Sequence, residues 1–266
     1  MRTRNFSCTR FLAFVILLVP FPCFGASAPK TKLTAFEANP ARQRAKVPEL
    51  YTAQFKAFRS RKNGIVLDAR PRQEFANAHI PGSISIDERG LLRLVQDYPD
   101  RSTDIVVYSN GPYCDLAGRR ANELQDLGYA KLARYQLGLA VWRAFGNPVE
   151  TTLDGFRRMY AENATVIIDA RRRADYAAGT IPAAESVLPG EVAHAAADHR
   201  LRYYDHNTRI ILFGSNRGEA RALADEFARN SYANSSYFGG SYQDLKRAKF
   251  FTERKPFPSN LEGLTR

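Results

Sequence analysis

Cysteine is scarce in this sequence: three thiols occur in 266 residues, at Cys8, Cys23 and Cys114. So few exclude a disulfide-built scaffold and any Cys-rich zinc module. Histidine numbers four, at His79, His194, His199 and His206, without the regular spacing of a metal-ligand set, so no metal site is expected. The phosphate-cradling P-loop and the dinucleotide glycine pattern are also missing, and no cofactor is expected. Long apolar runs are absent as well. The longest candidate, Phe11 to Val19, ends at Pro20 and is too short to cross a bilayer comfortably.

What that run does fit is a leader. Arg2, Arg4 and Arg10 precede it, and small residues follow from Gly25 to Ala28, which predicts a signal peptide over residues 1–25 and export to the periplasm or beyond. Cleavage there would remove Cys8 and Cys23, leaving Cys114 as the one thiol. It would also take the formal charge from +12 to about +9, still basic. The densest basic run, Arg171 to Arg173, has no helix-turn-helix or RNA-binding pattern around it. A solvated basic face is therefore expected, not specific nucleic-acid binding. Membrane contact is expected only through an uncleaved leader or that basic surface.

The rest of the chain repeats itself. Ile65-Val66-Leu67-Asp68-Ala69-Arg70 returns about 101 residues later as Val166-Ile167-Ile168-Asp169-Ala170-Arg171. Glu74-Phe75 and His79-Ile80-Pro81 return as Asp175-Tyr176 and Thr180-Ile181-Pro182, and Ile105 to Tyr108 as Ile210 to Phe213. Each apolar run reads as a strand buried on both faces. Leu116, Ala117, Ala121, Leu124 and Leu127 recur at helical spacing, as do Ala220, Leu223, Ala224 and Phe227. Alternating strands and helices predict an α/β fold with a central parallel sheet in each half. The boundaries expected are an N-terminal segment 26–44, domains at 45–150 and 151–248, and a tail at 249–266. Pro48 to Phe58 is expected as a helix leading into the first sheet.

Leu67-Asp68-Ala69-Arg70, Glu74-Phe75 and His79-Ile80-Pro81-Gly82-Ser83, continuing through Tyr108, Gly111, Gly128-Tyr129 and Gly138 to Trp142, resemble the rhodanese family, and Thr165 to Ala248 carries a weaker copy. The resemblance implies a sulfurtransferase fold, and a nucleophilic cysteine directly after the central strand, in a loop whose inward N–H groups hold sulfur-bearing anions. That position is Ser109 in the first half and Gly214 in the second. Serine cannot carry a persulfide, and glycine has no side chain to offer.

The candidate anion-binding loops are therefore Ser109-Asn110-Gly111-Pro112-Tyr113-Cys114 and Gly214-Ser215-Asn216-Arg217-Gly218, with Arg217 a possible anion contact. Asp68, Arg70, Glu74, His79, Asp169 and Arg171 are expected to be structural, His79 as a partly exposed turn residue. Two functions stay open. One is a non-catalytic exported module that binds a protein partner or a small sulfur-containing anion. The other is a sulfurtransferase or persulfide carrier in which Cys114 has taken over the chemistry. A simple packing role for Cys114 stands beside the reactive one.

Overall fold

The computed structural model describes residues 46–87, 90–198, 201, 208–249 and 251. The leader, the 26–44 segment, His199, His206 and most of the expected tail lie outside the described residues. The first half runs α1 (Thr52–Arg61), β1 (Gly64–Asp68), α2 (Arg72–Asn77), β2 (Ile84–Ser85), α3 (Gly90–Asp97), β3 (Asp104–Tyr108), α4 (Leu116–Asp126), β4 (Leu132–Tyr135) and α5 (Gly138–Ala144). The second runs β5 (Glu150–Thr151), α6 (Leu153–Ala161), β6 (Val166–Asp169), α7 (Arg173–Ala177), β7 (Ala184–Ser186), α8 (Val192–Ala197), β8 (Ile210–Phe213), α9 (Arg217–Arg229), β9 (Ser235–Phe238) and α10 (Tyr242–Ala248).

Two parallel sheets result, ordered β2-β1-β3-β4 and β5-β9-β8-β6-β7. The repeat survives in the register, since Asp68 pairs with Tyr108 and Asp169 with Phe213. Strand alternation sends Ile105 and Val107 to one face, into a core with Ala117, Ala121 and Leu124 of α4. Val106 and Tyr108 face the other way, toward Phe55 of α1 and Trp142 of α5. The second sheet divides alike: Ile210 and Leu212 meet α9, while Ile211 and Phe213 meet Phe156 and Tyr242. Both faces of each sheet are therefore dry, which is why its strands are short β-branched runs.

The helix before the first sheet begins four residues later than expected. Glu49 bridges Arg134 in parallel, with Arg134 N–H donating to Pro48 O at 2.9 Å and Leu50 N–H to Arg134 O at 2.8 Å. Pairing with β4 thus holds residues 48–50 extended, and Gln54 Oε1 accepts the Tyr51 N–H at 2.8 Å where the chain turns into α1. Leu127, read as part of the buried stripe of α4, lies just past that helix and is 41% exposed. Among the described residues no helix is long and apolar enough to cross a membrane.

The repeats join along a short seam. His79 and Glu150 exchange two backbone hydrogen bonds of 2.9 Å, Thr151 Oγ1 donates to Asn77 O at 2.9 Å, and Thr152 N–H donates to Ala76 O at 3.0 Å. Gly155, in the first turn of α6, is pressed against this segment: a Cβ there would stand 1.9 Å from Ala76 O. Backbone cannot yield as a side-chain tip can. Gly155→Ala is expected to lower stability by about 1–3 kcal/mol, seen as a lower urea midpoint with an unchanged slope; an unshifted midpoint would show that the seam is slack.

Candidate functional site

The C-terminal ends of the strands in each half are organised by a buried ion pair. Arg70 donates from Nε to Asp68 Oδ1 at 2.9 Å and from Nη2 to Oδ2 at 2.6 Å; the two side chains are 3% and 0% exposed. Arg70 also donates to Ala78 O at 2.6 Å. The Tyr108 hydroxyl donates to Asp68 Oδ2 at 2.5 Å and accepts from the Ile80 N–H at 3.0 Å. Burial would lower the Arg70 pKa, but the hydrogen bond and charge of Asp68 outweigh it and raise it. Burial, and then the Asp68 charge, push the Tyr108 phenol well above its ordinary range, so it stays a donor. In the second half Asp169 and Arg171 pair with the same atoms, Arg171 reaches Gly179 O at 2.7 Å, and the Thr180 hydroxyl replaces that of Tyr108 at 2.7 Å. These four charged residues are fully engaged with protein.

Glu74 and His79 are engaged too. Glu74 Oε2 accepts from Asn110 Nδ2 at 2.9 Å, tying α2 to the loop after β3. His79 is buried at 5% exposure, where a partly exposed residue was expected, because its ring stacks on Phe75 and Nδ1 lies 2.9 Å from Phe75 O. Burial lowers its pKa, keeping it neutral. Among the described residues it makes no hydrogen bond to Ser109.

Loop 1 spans Ser109 to Asp115 and delivers the chain into α4. Ser109 is wholly buried, and its Oγ has no hydrogen-bond partner among the described residues. Its carbonyl accepts from Leu139 N–H at 3.0 Å, and that of Asn110 from Ala140 N–H at 2.9 Å, so α5 is laid directly on the loop. This contact demands Gly138: its φ is +64°, and a Cβ would stand 2.5 Å from Ser109 O. Cys114 is half-buried, two residues before the helix, with its N–H donating to Gly111 O at 3.0 Å.

The loop is pinned by a residue that sequence reading missed. Gln136, fully buried, donates from Nε2 to Pro112 O at 2.8 Å and to Cys114 O at 2.9 Å. Its Oε1 accepts from Arg134 at 3.0 Å, and Arg134 lies 3.5 Å from Glu49. A polar chain therefore runs from the edge of the sheet to the loop. A cleft of about 900 Å³ opens elsewhere, between α2, α3 and α4; its wall mixes Arg70, Arg72, Arg93 and Arg120 with Asp87, Asp97 and Asp154, and no residue of loop 1 lines it.

Loop 2 is shorter. Arg217 and Gly218, read as loop residues, belong to the first turn of α9, because Asn216 Oδ1 accepts the Glu219 N–H at 3.0 Å and starts the helix there. Glu219 Oε2 accepts the Ser215 N–H at 2.6 Å and would stand 2.9 Å from a Cβ on Gly214. The chain's own carboxylate thus covers the place where an external anion would approach. Arg217 donates to Glu150 Oε2 at 2.6 Å, which also neutralises it. Glu150 fits because Gly239 occupies the position corresponding to Gln136: a Cβ on Gly239 would stand 2.0 Å from Glu150 Oε1. His194 lies in α8, and no group of three or more potential metal ligands occurs among the described residues.

A family model described as the rhodanese-like domain matches residues 52–145 and again 152–248. A curated relative, an HTH-type transcriptional regulator of Mycobacterium tuberculosis, is 36% identical over 106 residues, covering 39% of this chain and 46% of its own length. The chain thus spans about half of that relative. Among solved structures, a thiosulfate sulfurtransferase from Pseudomonas aeruginosa is 22% identical with a TM-score of 0.37, covering 78% of this chain and 44% of its own. A 3-mercaptopyruvate sulfotransferase from Escherichia coli is 18% identical with a TM-score of 0.33, covering 74% of this chain and 99% of its own.

The pin on loop 1 can be tested in isolation. Gln136→Leu keeps the approximate volume but leaves the carbonyls of Pro112 and Cys114 without their donor, and should cost about 1–3 kcal/mol. It should also speed alkylation of Cys114 by a thiol reagent under native conditions. Unchanged stability together with an unchanged alkylation rate would mean that Gln136 does not hold the loop.

Proposed function

The chain belongs to the rhodanese-like family, with two such domains in tandem, and from that premise we propose that it is an exported, non-catalytic member whose loop 1 engages a small sulfur-containing anion or a partner protein without forming a persulfide. The observation that carries this reading is Ser109. It stands where the family resemblance calls for the nucleophilic cysteine, entirely buried, with a hydroxyl that has no hydrogen-bond partner among the described residues. Loop 1 nevertheless keeps its shape through Gln136 and Gly138. Loop 2 plays no such part, since Glu219 and Glu150 already occupy its donors.

A second reading rests on Cys114, the one free cysteine among the described residues. Its backbone is fixed on both sides, by Gly111 O and by Gln136. A thiol held there could accept sulfur if a donor reached it. It stands five residues beyond the position that the fold prepares, however, and a displacement of even about 1 Å costs on the order of 100-fold in rate.

Export rests on Arg2, Arg4 and Arg10 before the apolar run. N-terminal sequencing of the protein from its native cell should find a start between residues 24 and 30; full-length chain in the cytoplasm would contradict export. Thiosulfate-to-cyanide transfer by the purified protein should lie at background. Ser109→Cys should raise it measurably, whereas Gly214→Cys should not, because the new Cβ meets Glu219 and Ala220 N at 2.9 and 3.0 Å. Robust turnover by the unmodified protein, abolished by Cys114→Ser, would replace the first reading with the second.

A further inference from the structure

The cleft between α2, α3 and α4 is lined by charges of both signs that the chain itself leaves unpaired. Ile84, Leu94, Leu116 and Tyr98 form apolar parts of its wall and pack together on the core beneath. Three charged side chains of the wall are engaged: Arg70 by Asp68 at 2.6 Å, Arg120 by Glu123 at 2.6 Å, and Asp87 by the Gly90 N–H at 2.8 Å. Four others, Arg72, Arg93, Asp97 and Asp154, are exposed, and none has an ion pair or side-chain hydrogen bond among the described residues. Arg72 and Asp154 belong to α2 and α6, which meet where Gly155 presses on Ala76. Arg93 and Asp97 stand about one turn apart on α3.

The second half uses the corresponding positions on itself. At the offset of the repeat, Arg173 takes the place of Arg72 and Glu191 that of Gly90, and the two pair at 2.7 Å. On the helix after the central strand, Ala117, Ala121 and Leu124 correspond to Ala220, Ala224 and Phe227, which sets the wholly buried Leu223 at the place of Arg120. An ion pair and a core leucine therefore stand where the first half has an unpaired arginine, a glycine and a polar wall. Opposite charges that share a cleft without pairing leave both signs available to a ligand. A simple anion drawn to Arg72 and Arg93 would also meet Asp97 and Asp154, and a simple cation would meet the reverse. A molecule with one charge of each sign at separate ends answers both, and an apolar body between them covers Leu94 and Leu116. At about 900 Å³ the cleft lies toward the upper end of the range for small-molecule sites, which suits an elongated ligand.

We propose that this cleft binds a short peptide with free amino and carboxyl termini and apolar side chains, its ammonium drawn to Asp97 or Asp154 and its carboxylate to Arg72 or Arg93. Free termini put one charge of each sign at opposite ends of an extended chain, and the side chains supply the apolar body. The site goes beyond the function proposed above and does not depend on it, because no residue of loop 1 lines the cleft.

The test uses the full chain and the tripeptide leucyl-alanyl-phenylalanine, titrated by calorimetry beside its N-acetyl and C-amide forms, each of which removes one charge. The free tripeptide should bind saturably and at least about tenfold more tightly than either capped form. Asp97→Asn with Asp154→Asn should abolish its preference over the acetylated form and keep that over the amide. Arg72→Gln with Arg93→Gln should do the reverse. All four positions are exposed, and a cooperative thermal transition verifies that the variants fold. No saturable binding of the tripeptide, equal affinity for all three forms, or preferences that survive both double variants would overturn the proposal. Thiosulfate should not displace the tripeptide; displacement would assign the arginines to simple anions and overturn it as well.

Discussion

A buried Asp–Arg pair at the end of the first strand fixes everything above it in each repeat. Two charges removed from water are costly unless every donor and acceptor is used, and breaking such a pair by removing one partner costs about 3–5 kcal/mol. Here they are used well. Asp68 accepts from Arg70 and Tyr108, and Arg70 passes on to Ala78 O, so one pair locks the strand end, the central strand and the turn leading to Ile80. Asp169 and Arg171 do the same for the second sheet, with Thr180 supplying the hydroxyl. Phe213 at the place of Tyr108 is tolerated for that reason: the carboxylate still receives its hydroxyl donor, the fourth beside the backbone N–H, Nε and Nη2 of its arginine.

On that shared frame the two loops have diverged in opposite ways. In the first, Gln136 holds the carbonyls of Pro112 and Cys114, which fixes the loop that begins at Ser109. In the second, Gly239 leaves the corresponding space empty and Glu150 enters it to hold Arg217, while Gly214 leaves room for Glu219 to cap the loop from within. The first loop is held from below by a neutral amide, the second by the chain's own carboxylates.

Much of this was legible from sequence because the repeat is local. The strings around Asp68 and Asp169, the buried strands and the helical spacing of Ala220, Leu223, Ala224 and Phe227 depend on near neighbours, and the two sheets follow from them. The positions of Ser109 and Gly214 were legible too, since each directly follows a strand. Long-range polar partners were not. Gln136 meets its acceptors 22 and 24 residues away, Arg217 meets Glu150 at a separation of 67, and Arg134 meets Glu49 at 85. No periodicity announces such contacts. Aligning the two halves would have given one hint, because Glu49 and Glu150 hold equivalent places at the start of each repeat. The extended stretch before α1 was misread for the same reason: β4, far along the chain, decides it. His79 is buried through a stack on Phe75 and a seam to Glu150 that lies beyond its own turn.

The central claim is that the fold presents a shaped loop with no sulfur chemistry in it. Intact-mass spectrometry of the purified protein after incubation with thiosulfate, followed by peptide mapping across loop 1, tests it most directly. The account predicts an unchanged mass for the natural protein and the gain of one sulfur atom by the Ser109→Cys variant at residue 109. A sulfur atom gained by the natural protein on Cys114 would contradict it.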